Sequence, residues 1–449
     1  SSTALRGRCD LRLKGDRLAG IAHRRTHGGR HPMAGSYRGK GRLLARGEQA
    51  KAVRTVLMPV QQFLHIELVG SVLLMATAIV AILWANSPWA DSYHQLWKTK
   101  LTIGFESLRI TETLHRWIND GLMAYFFFMI GLEVKREVIS GALSTPRKAA
   151  LPIISALGGM IFPAALYLVF NWKGPGASGW GIPMATDIAF AVGLLTLAGS
   201  YVRQSSRTFL KAVATVDDIA AILIIAFFLS SDIDAESLIV GGVYFALMVA
   251  GNLLGVRSFW FYLFLGIAGL WVALLLSGIH ATLAGFLTAL TIPATTQITE
   301  DDFRNRLQQN TAAFDETRFT GGPLLTHRQV SLIQQIITDS KMALTPLQRV
   351  EDNIAPFVHY LVVPLFALSN AGVTIEGNLL QMLTHPVALG IIAGLVLGKF
   401  GGVYAFGRLL VRSGLGVLPE EGSWRQIGGL GFMAGIGFTM SLFIAELAL

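Results

Sequence analysis

The sequence predicts an all-α, polytopic membrane protein, and three observations carry that prediction. Of its 449 residues 52% are hydrophobic and only 14% are charged, with a mean hydropathy of +0.53. A soluble globular chain carries roughly a quarter charged residues, so a soluble cytoplasmic enzyme and a disordered chain are both excluded. Apolar segments of about the ~20 residues that a bilayer requires recur along the chain. Eleven are found, near 64–85, 114–134, 150–171, 180–200, 208–230, 236–255, 259–277, 279–295, 354–373, 385–411 and 426–448. Lys and Arg, finally, gather on one side of these segments, as cytoplasmic loops require. With the N-terminus placed in the cytoplasm, 31 of the 37 basic residues fall on that side and four on the other. Eleven spans then put the C-terminus outside.

Taken in order, residues 1–57 read as a basic, disordered cytoplasmic tail and 58–449 as the membrane domain. Residues 1–62 hold 14 Lys or Arg against Asp10, Asp16 and Glu48, so they carry the whole positive balance of the chain. A basic tail beside a membrane body points to the lipid surface rather than to nucleic acid, for which no binding fold is visible. Cys9 is the only cysteine, which excludes disulfide scaffolds and cysteine-ligated metals. In the loop 95–112, Leu101, Ile103 and Phe105 alternate with polar residues and Gly104 can turn the chain. This predicts a short β-hairpin on the outer face, able to pair across a dimer. The polar cytoplasmic insertion 296–352 reads mainly as a connector, with helical spacing of Val330, Leu332, Ile333, Ile336 and Ile337 inside it.

Ionisable residues at membrane depth are costly and mark function by default. Glu67 and Asp120 fall near span ends, whereas Asp187, Asp217, Asp218 and Lys399 fall deeper. In VATVDDIAAILIIAFF the neighbouring Asp217 and Asp218 point about 100° apart on a helix, so one can line a water-filled cavity while the other meets a neighbouring helix. Such a site holds protons or a small hard cation, but not both fully, which is the physical requirement for exchange. In GWGIPMATDIAFAVG, Gly181 and Pro183 precede Thr186 and Asp187 within one span. A helix interrupted there frees carbonyls for a cation and exposes a partly positive N-terminus that Asp187 would offset. Lys399 requires a buried anion, of which Asp217 and Asp218 are the available type. Gly428, Gly429, Gly431, Gly435 and Gly437 in the last span serve either close packing or a second break. His280 reads as a packed or interfacial histidine.

The strings WINDGLMAYFFFMIGLEVKREV, GGMIFPAALY, IPMATDIAFAVG, VDDIAAILIIA, SGIHATLAG, PLFALSNAGV, GIIAGLVLGK and GIGFTMS, in this order from about residue 60 to 449, resemble the NhaA-type sodium/proton antiporters. The resemblance implies inverted repeats with two broken helices, no cofactor, no enzyme chemistry, a homodimer and a bacterial inner membrane. It implies electrogenic exchange of cytoplasmic Na+ or Li+ for external protons by alternating access, in pH and sodium homeostasis. Asp218 matches the main ion- and proton-binding carboxylate, with Asp217 beside it and Lys399 as its ion-pair partner. Thr186 and Asp187 match the crossing of the broken helices and Asp120 an acid lining the entry path. Glu133, Arg136, Glu137 and Glu351 match a cytoplasmic pH-response cluster.

Three departures from the family pattern stand out. Asp352 and Ala355 occupy places where the family commonly has histidine. The insertion 296–352 is longer than usual. The family also continues into a twelfth span past the position of Leu449, so the final span is expected to be missing and a truncated, non-transporting member is the alternative reading. An intramembrane aspartyl protease also needs two aspartates in apolar helices, but no GxGD string occurs here.

Overall fold

The computed structural model describes residues 66–105, 108–197, 202–228, 233–317, 324–375, 377–418 and 422–449. All of them belong to one compact unit, Phe63–Leu449. The basic tail expected at 1–57 lies outside the described residues.

The described chain is almost entirely helical, because each segment lacks polar partners for its backbone other than its own. Among the described residues seven helices are long and apolar enough to cross a membrane. The pair Trp424–Ala434 and Phe438–Ala448, bent by 45°, makes an eighth. The other three apolar segments are helices too, but two are charged and one is short. Met123–Ile139 carries Glu133, Lys135, Arg136 and Glu137, and Gln204–Phe228 carries the two aspartates. Leu283–Thr291 has 9 residues. Large apolar side chains such as Leu83, Val169, Phe227 and Trp260 point outward uncovered, an arrangement that lipid tolerates and water does not.

Two apolar cores form inside. The first gathers Phe127, Leu132, Val358, Phe366 and Phe443, and the second Leu151, Met160, Leu210, Val403 and Leu430. The helix Gln204–Phe228 belongs to both, through Ile222 and Ile225 in the first and Phe209 and Val213 in the second. Its carboxylates at 217 and 218 therefore sit where the cores meet. Helix Pro146–Asn171 packs closely on Lys399–Arg412. A Cβ on Gly158 would come within 2.3 Å of the Gly402 carbonyl oxygen, so both glycines are needed for this approach. That contact brings Lys399 into the interior.

A two-stranded antiparallel sheet follows the helix Ala90–Lys98, with β1 at Lys100–Phe105 and β2 at Leu108–Thr113. The hairpin is present, but its turn is not at Gly104, which pairs with Arg109 inside the ladder. Ile103 pairs with Ile110 and Thr102 with Thr111, so the apolar and polar faces match across the strands.

The insertion is more than a connector. Helices Glu300–Asp315 and His327–Ala343 pack on one another, each opened by a threonine cap at Thr299 and Thr326. Arg306 and Asn310 of the first reach the buried Asp339 of the second. The apolar stripe is only partly covered, with Val330 and Ile337 exposed.

Candidate functional site

Two spans are interrupted at the same place. In the first, a 3-10 helix Ala177–Met184 ends at the extended Ala185, and an α-helix restarts at Ile188–Leu197. In the second, Trp424–Ala434 stops at Gly435 and Phe438–Ala448 restarts after Gly437. A Cβ on Gly437 would meet Ser441 Oγ at 2.1 Å and the Ala185 carbonyl oxygen at 2.9 Å, so only glycine permits the crossing. The chains are joined there by the Asp187 amide donating to the Ile436 carbonyl at 2.7 Å.

Asp187 lies at the N-termini of both restarted helices. Its Oδ1 accepts from the Phe190 amide at 2.9 Å. Its Oδ2 accepts from the Thr439 amide at 3.2 Å and the Thr439 hydroxyl at 2.5 Å. One carboxylate thus satisfies orphan donors of two helices and opposes two positive dipole ends. Thr186 stands beside it, its Oγ1 2.7 Å from Asp217 Oδ2 and 2.8 Å from the Ala434 carbonyl oxygen. A hydroxyl has one proton, so Thr186 addresses the carboxylate and the open C-terminal end of a half-helix alternately.

The two neighbouring aspartates have different surroundings. Asp217 Oδ2 accepts from Lys399 Nζ at 2.5 Å, and neither side chain is exposed. Lys399 therefore pairs with Asp217, one of the two carboxylates the residues left open to it, and not with Asp218 as the resemblance implied. The cause is rotation along the helix, which turns Asp217 toward the helix Lys399–Arg412 and Asp218 away from it. Asp218 is 2% exposed and its Oδ1 has no hydrogen-bond partner among the described residues. It faces a cavity of about 30 Å³ lined also by Glu133, Thr186, His359 and Met440. That volume suits a cation or a water molecule or two.

The remaining expected residues are dispersed. Glu133 lines the Asp218 cavity, one turn of the same helix before Arg136 and Glu137. Arg136 forms an ion pair with the buried Glu351. Glu137 instead accepts from the Ala142 amide at 2.8 Å, at the end of its own helix. Asp120 accepts from Arg116 at 3.3 Å at the hairpin end and does not line the Asp218 cavity.

Sequence reasoning passed over His359 and Thr439. His359 is buried in VHYLVVPLF, where a lone ionisable side chain in an apolar run is itself the signal. Thr439 had no signal beyond its place in GIGFTMS. Three of the ionisable residues stand at π-helical turns. His359 and Asp120 lie in Val358–Val362 and Trp117–Leu122, and Lys399 directly follows Gly394–Gly398. Such turns occur frequently at functional sites.

Among the described residues no group of three or more His, Cys, Asp or Glu is arranged to hold a resident metal ion. Broken helices crossing at a buried carboxylate site in a multi-span helical body define a membrane ion transporter. The sequence matches the family Na+/H+ antiporter 1 over residues 61–449. It is 46% identical over 403 residues to the Na+/H+ antiporter NhaA of Oleidesulfovibrio alaskensis, which covers 90% of this chain and 89% of that one. It is 44% identical to Na+/H+ antiporter NhaA 2 of Syntrophotalea carbinolica, over 87% of this chain and 89% of the relative. For NhaA of Koribacter versatilis the values are 43%, 90% and 88%. The chain belongs to the NhaA-type Na+/H+ antiporter family. It is a multi-pass transporter of the bacterial inner membrane and not an enzyme.

Proposed function

We propose that this chain exchanges Na+ or Li+ for more than one proton by alternating access at the crossing, with Asp218 as the carboxylate that proton and cation share. Na+/H+ antiport follows from the family, and the observation supporting the assignment to Asp218 is its environment. It is buried and faces the small cavity with an oxygen that has no partner among the described residues, whereas Asp217, whose Oδ1 is likewise unpartnered, is engaged by Lys399 and does not line that cavity. An ionised Asp218 offers a hard anionic ligand to a cation in that cavity. A protonated one offers none, so the two ligands compete for one group.

Asp217 is the second participant, already neutralised by Lys399. A single carboxylate trading one proton for one Na+ moves no net charge. Electrogenic exchange needs a further proton-carrying group coupled to the site, and the Asp217–Lys399 pair lies next along the helix. Thr186 and the Ala434 carbonyl supply neutral oxygens at the same place. Asp187 holds the restarted helices together, so that they can move as a unit without exposing uncompensated helix ends. Glu133 and His359 join the cavity wall, the Arg136–Glu351 pair provides the pH-responsive contact outside it, and Asp120 with Arg116 lies on the path at the hairpin end. Leu101 and Ile103 leave an apolar hairpin face uncovered, which supports pairing in a homodimer.

The test is Na+-induced proton movement in everted membrane vesicles, followed with a pH-gradient dye. Collapse of the gradient by Na+ or Li+ is expected for this chain and its loss for Asp218→Asn. Absence of any response in inserted wild-type protein, or full activity in Asp218→Asn, refutes the reading.

A further inference from the structure

The crossing leaves unexplained a second cluster of polar and ionisable side chains, at the hairpin end. β2 runs directly into Leu114–Arg116, which carries His115. His115 Nε2 lies 3.0 Å from Glu446 Oε1 and 3.1 Å from Asn119 Nδ2. The Asn119 amide is fixed by a reciprocal pair. Its Oδ1 accepts from Asn370 Nδ2 at 2.9 Å, and its Nδ2 donates to Asn370 Oδ1 at 3.2 Å. Asn119 therefore presents an N–H to His115 and cannot turn round without losing both bonds.

A single imidazole nitrogen thus faces a donor and an acceptor, and it can satisfy only one. Carrying a proton, Nε2 donates to the Glu446 carboxylate. The imidazolium always carries that proton, whereas the neutral ring can hold its single proton on Nδ1; Nε2 then accepts from Asn119, and the half-exposed Glu446 turns to water. The location matters because the two partners belong to elements that wall the ion site. Glu446 is on the half-helix Phe438–Ala448, whose Thr439 donates to Asp187. His115 leads through the turn Trp117–Leu122 into Met123–Ile139, whose Glu133 lines the Asp218 cavity.

We propose that His115 Nε2 and Glu446 form a proton-binding site outside the crossing, which ties the half-helix Phe438–Ala448 to Leu114–Arg116 when protonated and releases it when not. The surrounding charges are accounted for. Arg116 is engaged by Glu112 at 3.1 Å and Asp120 at 3.3 Å, and His280 acts on Asp120. Asp91, Tyr93, His94 and Lys98 are the ionisable side chains of the helix Ala90–Lys98 packed against Leu114–Arg116, with the Tyr93 hydroxyl donating to the Leu368 carbonyl. Histidine is the side chain whose charge changes between about pH 5 and 8, so the tie responds to pH at this face. Its effect on transport rests on the exchange reading above; its existence does not.

The deciding experiment is hydrogen–deuterium exchange by mass spectrometry on the full chain in lipid nanodiscs, corrected for intrinsic exchange, between about pH 5.5 and 8.5. Protection of amides 442–446 is expected to be about two- to fivefold higher at the acid end, the size of a partly exposed ion pair. Glu446→Gln and His115→Gln flatten that dependence, whereas His115→Lys, charged throughout, keeps protection high at both ends. Protection independent of pH in the wild type, or a dependence that survives in Glu446→Gln, overturns the proposal. In vesicles, Glu446→Gln is expected to change the pH profile of exchange with its maximum retained. If wild-type vesicles exchange nothing, the exchange reading fails, while the amide data still decide the tie.

Discussion

At the crossing, Lys399 and Asp217 form an ion pair with neither side chain exposed. On the helix Glu300–Asp315, Arg304 reaches Glu300 at 3.2 Å and Asp301 at 3.7 Å, with all three side chains more than half exposed. The chemistry is the same and the consequences are opposite. In water each partner is already solvated, and the pair contributes almost nothing. At membrane depth neither partner has an alternative, so losing one leaves a stranded charge. Between these extremes lies Arg306 with the nearly buried Asp339, which joins the two helices of the insertion.

Substitutions can break or sharpen this contrast. The largest effect is expected for Lys399→Met, which strands Asp217 and should lower stability in detergent by about 3–5 kcal/mol. Lys399→Met with Asp217→Asn should recover most of that loss; chemical denaturation of both variants tests whether the pair or the lysine itself is needed. Next comes Asp187→Ala, which removes caps from two helices and should cost about 2–4 kcal/mol, with Asp187→Asn costing less because an acceptor remains. Thermal stability of the purified variants orders them. Asp339→Ala should cost about 1 kcal/mol and loosen only the helices Glu300–Asp315 and His327–Ala343 in hydrogen exchange, leaving Na+-driven proton movement unchanged. Arg304→Ala should change nothing measurable in either assay.

The smallest measurable effect concerns pH. Asp234 caps Ala235–Leu253 by accepting from the Ser237 amide at 2.9 Å, and the Ser237 hydroxyl together with that amide holds its carboxyl below the usual range. A depressed value in the folded state means stabilisation that is present above the ordinary Asp range, near ~4, and lost as pH falls through the folded value. Amide exchange at 236–239 should accelerate only there. Asp234→Asn, which retains a cap without titrating, should abolish that response.

Much of the molecule was legible in the chain. Apolar runs located the spans, alternation located the hairpin, and Gly and Pro around Thr186–Asp187 marked one break. The hairpin turn was misplaced because Gly104 is compatible with a turn as well as with a strand, and the cross-strand pairing decides between them. The glycines of the last span could not be sorted from sequence. Gly428 and Gly431 lie against Phe400, Gly435 and Gly437 make the break, and a Cβ on Gly429 would meet nothing. His359 has no spacing relation to the acidic motifs that would link it to them in the sequence. Its neighbourhood with Asp218 depends on a helix more than a hundred residues away.

By itself, the sequence determined that this is a membrane transporter body and which ionisable side chains lie at membrane depth. Hydropathy and span length are local quantities, summed along the chain without knowing its path. Only the tertiary structure decided that Asp217 meets Lys399 while Asp218 keeps the cavity, that Asp187 caps two helices rather than one, and that Glu133 lines that same cavity. Neighbouring side chains on a helix differ by about 100° in direction. Which direction finds a cation, a helix end or an empty space is set by segments that arrive from far along the chain.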